Sequence, residues 1–197
     1  PYYNTPYNAA NPTGLSATGN RFAYTLAPVL TVTPNNASRE YGEANPAFTY
    51  GVTGLVGGDT LAAAVAGAPS ISSLANATSS VAGGPYAITA TLGTLASDYN
   101  YGFSFAPGQL AITPATLTYV ANSTSRLYGD ANPALSGTVT GFKNGELVGT
   151  ATTGTLTFTS PALATDNVGS YAINGSGLTA NNGNYVFVQA LGNASAL

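Results

Sequence analysis

Large apolar residues alternate with small or polar ones along several short stretches of the chain. Tyr101, Phe103 and Phe105 alternate with Gly102 and Ser104, Phe48, Tyr50 and Val52 with Thr49 and Gly51, and Leu156 and Phe158 with threonine. A period of two belongs to a half-buried strand, so these stretches predict β-structure. Turn chemistry separates them at Asn45-Pro46, at Ala106-Pro107-Gly108 and in the Gly/Asn cluster over 181–184. Helical signal is confined to residues 60–66, with Asp59 placed to cap the start and Gly67 to end it, while Thr152-Thr153-Gly154 argues against a second such helix. Across Pro114-Ala115 the large residues switch from even positions (Leu110, Ile112) to odd ones (Leu117, Tyr119). One extended segment therefore ends one sheet and begins the next, with a bulge at the proline.

The pattern is duplicated, which takes precedence over any element-by-element reading. Arg39-Glu40-Tyr41-Gly42-Glu43-Ala44-Asn45-Pro46 returns 87 residues later as Arg126-Leu127-Tyr128-Gly129-Asp130-Ala131-Asn132-Pro133. Gly84-Pro85-Tyr86-Ala87-Ile88 has its counterpart in Gly169-Ser170-Tyr171-Ala172-Ile173, and Asn100-Tyr101 with Phe103 in Asn184-Tyr185 with Phe187. Leu30-Thr31-Val32-Thr33-Pro34 reads like Leu110-Ala111-Ile112-Thr113-Pro114, which puts Leu30, Leu110 and Leu197 in one phase. The expected organisation is the tail of a preceding repeat or an N-terminal extension over 1–30, one repeat module over 31–113, and a second over 114–197 that lacks its last strand. The expected fold is all-β: tandem β-sandwich-like (Ig-like) modules joined by a short extended linker, the alternative being β-grasp-like modules with one short helix each.

Composition narrows the chemistry. Only 11 of 197 residues carry a formal charge, so the surface is built from Thr, Ser, Asn, Gly, Ala and Tyr. Four cations, Arg21, Arg39, Arg126 and Lys143, within a net charge of −3 make no stripe that neutralises phosphates, so nucleic acid is not an expected partner. The absence of His and Cys removes His-containing triads, the common zinc sets, disulfides and thiol nucleophiles. No catalytic residue, cofactor or metal site is expected. An apolar content of 44% argues for a folded chain. No signal peptide and no apolar run of about 18 residues is seen, so membrane insertion is not expected, and the chain reads as a segment of a longer array.

Six of the eleven charges fall at matching places, as Arg39/Arg126, Glu43/Asp130 and Asp59/Glu146. Two carboxylates per module form the skeleton of a glycosidase, but no cleft-building insertion surrounds them, and the favoured reading is loop caps or a local ion pair supporting the Tyr-Gly turn. Tyr2, Tyr3 and Tyr7 interleave with asparagine and would suit a ring platform for sugars, but the favoured reading is tyrosine as the default amphipathic residue of a half-exposed sheet. The candidate structural residues are therefore Arg39, Tyr41, Gly42, Asn45 and Pro46, with Arg126, Tyr128, Gly129, Asn132 and Pro133. Leu30, Val32, Leu110, Ile112 and Leu197 are the candidate positions of a strand shared between modules or subunits.

Taken in order, Tyr-Gly-x-Ala-Asn-Pro, the Gly-Leu-Val-Gly-Gly-Asp-Thr of residues 54–60, Gly-x-Tyr-Ala-Ile, Gly93-Thr94-Leu95, Asn-Tyr-x-Phe and Leu-x-Ile resemble the MBG repeat domain, the type named for its Tyr-Gly motif. The resemblance implies a mostly β extracellular module, strung in tandem in large secreted bacterial proteins similar to filamentous haemagglutinins and other adhesins. It implies no catalysis, cofactor or ligand. The function expected is a structural repeat segment of a bacterial surface fibre or adhesin. Its expected partners are neighbouring repeats of the same or identical chains, with glycans or host surfaces as further candidates. Alternatives are a filament subunit assembled by strand complementation, and a carbohydrate-binding module. The second copy departs from the pattern where Phe142-Lys143-Asn144-Gly145-Glu146-Leu147 replaces Leu55-Val56-Gly57-Gly58-Asp59-Thr60.

Overall fold

In the segment Val-Leu-Thr-Val-Thr-Pro of residues 29–34, Leu30 and Val32 are completely buried while Thr31 and Thr33 are half-buried, the alternation that a pleated strand imposes. The computed structural model describes residues 27–197. Their order is β1 (Val29–Pro34), β2 (Ala37–Glu40), β3 (Tyr50–Thr53), α1 (Leu61–Ala64), β4 (Val65–Ala66), β5 (Ser70–Ser72), β6 (Tyr86–Thr91), β7 (Ala96–Ser97), β8 (Gly102–Phe105) and β9 (Gly108–Thr113). There follow β10 (Ala115–Ala121), β11 (Gly137–Thr140), α2 (Val148–Ala151), β12 (Thr152–Thr159), β13 (Asn174–Ala180) and β14 (Tyr185–Gln189), with 3-10 turns over Asn181–Gly183 and Leu191–Ser195. The protein is mostly β, in sandwich-like modules.

Two compact units form. The first takes residues 27–37, 46–74 and 86–110; the second takes Ser38–Asn45, Ala75–Pro85 and Ala111–Leu197. In the first, β1 is a central strand, antiparallel to β3 with Val32 opposite Val52 and parallel to β8 with Leu30 opposite Phe103. A second sheet runs antiparallel, with Ile71 of β5 opposite Ala90 of β6 and Tyr86 of β6 opposite Leu110 of β9. Val32, Ala90 and Leu95 form the core between these sheets, closed by Tyr50, Val52, Ile71 and Phe103. A further cluster of Leu30, Ala64 and Tyr101 holds α1.

The second unit repeats the plan. β10 lies antiparallel to β11, with Tyr119 opposite Val139, and parallel to β14, with Leu117 opposite Phe187. β12 and β13 form an antiparallel pair whose register shifts between Gly154 and Thr157. The Tyr119 ring stacks on Phe187 at 5.2 Å and meets Phe158 edge-on at 6.4 Å. Gly175 passes so close that a Cβ there would lie 2.6 Å from this ring, so β13 needs a glycine at that point.

The parity switch at the proline is present. Buried positions run Gly108, Leu110, Ile112 and then Ala115, Leu117, Tyr119, with Pro114 alone between β9 and β10. Three expectations are corrected. The pairings give Leu30 the place of Leu117 and not of Leu110, because Leu30 and Leu117 are the residues opposite Phe103 and Phe187 in parallel pairs. β1 is thus the opening strand of its repeat. Asp59 does not cap α1: Thr60 holds the N-cap position without a side-chain bond, and the Asp59 carboxylate accepts from Tyr101 Oη at 2.7 Å. A helix also forms in the second repeat, where Leu147 N–H donates to Thr150 Oγ1 at 3.0 Å and Thr152 Oγ1 donates to Val148 O at 2.7 Å. Thr152 and Thr153 do open β12, as their letters suggest, but the helix lies just before them and the Thr150 and Thr152 hydroxyls close its turn. The expected tail over residues 1–26 and the platform of Tyr2, Tyr3 and Tyr7 lie outside the described residues.

Candidate interaction site at the Tyr-Gly loops

Each Tyr-Gly loop is anchored by its arginine and asparagine. Arg39 is buried, and its Nε donates to Asn45 Oδ1 at 2.8 Å, its Nη1 to Glu40 O at 3.1 Å and its Nη2 to Asn76 O. Asn45 Nδ2 in turn donates to Ala75 O at 2.7 Å. The second copy repeats this, with Arg126 Nε to Asn132 Oδ1 at 2.7 Å, Nη1 to Leu127 O, Nη2 to Leu163 O, and Asn132 Nδ2 to Ala162 O at 2.8 Å. The fork of an arginine serves three acceptors at once, which a lysine point donor does not. Pro46 and Pro133 follow the asparagines at exposed positions. Gly42 (φ 88°) and Gly129 (φ 91°) supply the left-handed residue that turns the chain. The matched arginines hold carbonyls and amides, not the matched carboxylates.

The two loops differ in what lies over them. Residues 38–45 and 75–85 belong to the first repeat by sequence, yet they are built into the compact unit that carries the second repeat. There Tyr41 is 3% exposed and meets Tyr185 edge-on at 5.4 Å. Tyr41 Oη donates to Glu146 Oε1 at 2.9 Å and Tyr185 Oη donates to Glu146 Oε2 at 2.5 Å, so one carboxylate joins two phenols. Lys143 N–H donates to Tyr185 Oη at 2.9 Å, and its Nζ pairs with Glu43 at 2.7 Å and Glu40 at 3.1 Å. Asn144 Nδ2 donates to Ala77 O at 3.2 Å, Val81 N–H to Asn184 Oδ1 at 2.9 Å and Ala82 N–H to Asn182 O at 3.1 Å.

Electrostatics follow the geometry. Burial pushes the Tyr185 phenol well above the ordinary tyrosine value, and its hydrogen bond to Glu146 adds to the shift. Tyr41 is raised for the same two reasons in the same order. Glu43 is held below the usual carboxylate range, and Lys143 above the usual amine, by the hydrogen bond they share. The assembly is a fastener of neutral phenols around one carboxylate.

The departure of residues 142–147 from the first copy is smaller in space than in letters. Asn144 (φ 53°) and Gly145 (φ 72°) make the turn that Gly57 (φ 64°) and Gly58 (φ 77°) make in the first repeat. Tyr101 Oη accepts from Val56 N–H at 3.0 Å and donates to Asp59, as Tyr185 does with Lys143 and Glu146. Sequence reasoning paired the acidic residues as equivalents and missed that Glu146 receives Tyr41 from the other copy. The signal available was an Asn-Tyr matched at a constant offset to an acidic loop, without any indication of which residue it met.

The remaining candidates are strand positions. Leu30 and Val32 lie in β1, with β3 and β8 on its two sides. Leu110 and Ile112 are buried in β9. Leu197 exchanges both backbone hydrogen bonds with Tyr171, the relation Leu110 has to Tyr86.

Comparison with protein-family models finds the MBG domain (YGX type) twice, over residues 30–111 and 117–195. Comparison with curated proteins and with solved structures gives no match.

Proposed function

Since the chain belongs to the MBG domain family of the YGX type, in two consecutive copies, we propose that it is a non-enzymatic structural segment of a secreted or cell-surface bacterial fibre or adhesin. Its work in that setting is to hold distance and to present repeats, so that weak contacts per repeat add through tethering. The observation that carries the reading is the building of the first repeat's Tyr41 loop into the compact unit of the second, closed on Glu146 and Tyr185. A buried polar seam of this kind makes consecutive repeats depend on each other, as in other arrays. Partners under this reading are neighbouring repeats and surfaces beyond the fibre; no cofactor enters. Strand complementation through Leu30 and Val32 is less favoured, because β1 has a strand of its own chain on each side.

The test is antibody labelling of the source bacterium with serum raised against residues 27–197, on intact and on lysed cells. Labelling of intact cells or of the medium is expected. Labelling confined to lysed cells overturns the reading.

A further inference from the structure

The two Tyr-Gly loops are the same device in two states. The loop of the first repeat is covered; that of the second is bare. Tyr128 is 65% exposed where Tyr41 is 3% exposed, and Leu127 and Val168 are 76% and 91% exposed. The bare copy keeps the internal bonds of the covered one. Its arginine and asparagine make the same anchoring bonds, and Gly129 N–H donates to Ala164 O as Gly42 N–H donates to Ala77 O. Among the described residues, Tyr128 Oη and Val168 N–H make no hydrogen bond, whereas their counterparts Tyr41 Oη and Val81 N–H bond to Glu146 and Asn184. An open groove lined by Arg126, Tyr128, Asp166, Val168, Tyr171 and Leu197 adjoins the tip.

The letters that differ between the tips say what covers the second. Glu40, which pairs with Lys143, is replaced by Leu127, and Asn76 by the exposed Leu163. Glu43, the nearer partner of Lys143, keeps its charge as the exposed Asp130, so it is Leu127 at the tip that selects an apolar residue in the place of Lys143. The first repeat has such a loop, with Val56 at that place, Asp59 in the place of Glu146, and Asn100-Tyr101 in the place of Asn184-Tyr185.

We propose that the Tyr128 tip, with Leu127, Leu163 and Val168, is the docking surface for a following MBG repeat in series, one whose loop is of the Val56-Asp59 type rather than the Lys143-Glu146 type. The inference deepens the structural-repeat reading and rests on it for the nature of the occupant. Residue pairing across the seam then acts as a code: charge meets charge at Glu40 and Lys143, and apolar meets apolar at Leu127 and the valine.

The experiment extends the chain. Leu197 is continued by residues 111–113 and then by a second run of residues 27–197, and hydrogen exchange is followed in the peptide around Val168 by mass spectrometry. That peptide occurs twice, once with a repeat after it and once without. The expected result is an uptake profile split into two equal halves, one exchanging at least about tenfold more slowly. The unextended 197-residue chain should show the fast half alone. Leu127→Glu in the first run should abolish the slow half, and Val56→Lys in the second run should then restore it by re-creating the Glu40 and Lys143 pairing. Tyr128→Ala should abolish it without rescue. A single fast population in the extended protein overturns the proposal, as does a slow half that ignores Leu127→Glu. A slow population that grows with concentration in the unextended chain overturns the placement in series and assigns the surface to a second molecule. These readouts do not depend on where the protein resides, so failure here and failure of surface labelling are separate results.

Discussion

Substituting Tyr41 and Tyr128 in parallel tests the seam most directly, because sequence makes them equivalent and structure does not. Tyr41→Phe keeps the ring and its edge-on contact with Tyr185 at 5.4 Å but removes the hydroxyl that donates to Glu146 at 2.9 Å. A hydrogen bond to a charged group contributes about 1.5–3 kcal/mol. Glu146 is half-buried and keeps Tyr185, so water replaces part of the loss and the cost falls near the lower end, roughly 1.5 kcal/mol, a tenfold change in the folding equilibrium. Tyr41→Ala also empties a site that is 3% exposed, and removal of a buried aromatic ring costs about 3–5 kcal/mol more. Tyr128→Phe and Tyr128→Ala, at a position 65% exposed, should each stay within about 0.5 kcal/mol. The assay is guanidinium unfolding followed by tyrosine fluorescence, with hydrogen exchange at Val81 and Lys143 to assign the loss to the second compact unit. Equal costs for Tyr41→Phe and Tyr128→Phe, or a loss of protection confined to the first unit, would refute the reasoning.

Three further outcomes are expected. Tyr41 and Tyr185 have phenol values raised above the ordinary 10.0, so their contribution is fully present below about pH 10 and is lost as pH rises through the folded values; denaturant midpoints should fall above pH 10, and less steeply in Tyr185→Phe. Gly42→Ala should cost more than Gly129→Ala in thermal melts: both impose a left-handed φ on alanine, about 1–2 kcal/mol, but only at Gly42 does the new Cβ fall 2.4 Å from Lys143 Cβ. Arg39→Lys should lower stability by roughly 2–4 kcal/mol in urea unfolding, since one ammonium does not serve Asn45, Glu40 and Asn76 together.

Alternation and repetition made much of the architecture legible. The strands around Val52, Phe103 and Phe158, and the parity switch at Pro114, follow from local period and turn chemistry, which act over a few residues. What escaped was long-range. Leu30 resembles Leu110 in letters and Leu117 in pairing, because a short Leu-x-Val-x-Pro strand carries too little information to name its neighbours. The helix at Val148–Ala151 escaped because two threonine hydroxyls supply bonds that propensity does not count. At the site, the anchoring group Arg-Tyr-Gly-Asn was visible as a motif. Its partner Glu146 was visible only as a charge in the right phase, since a contact between residues 105 apart leaves no local trace.

The sharing of residues between neighbours also bears on how a gene for such a protein changes length. Recombination between equivalent codons, such as those of Arg39 and Arg126, removes or adds one period of 87 residues. It leaves every anchoring arginine with its asparagine, but at the point of exchange it hands one tip a new loop. A tip bearing Glu40 then meets valine, or one bearing Leu127 meets lysine, unless the exchanged copies are of matching type. Arrays would thus lengthen and shorten freely in the backbone while selection acts on the order of the copies.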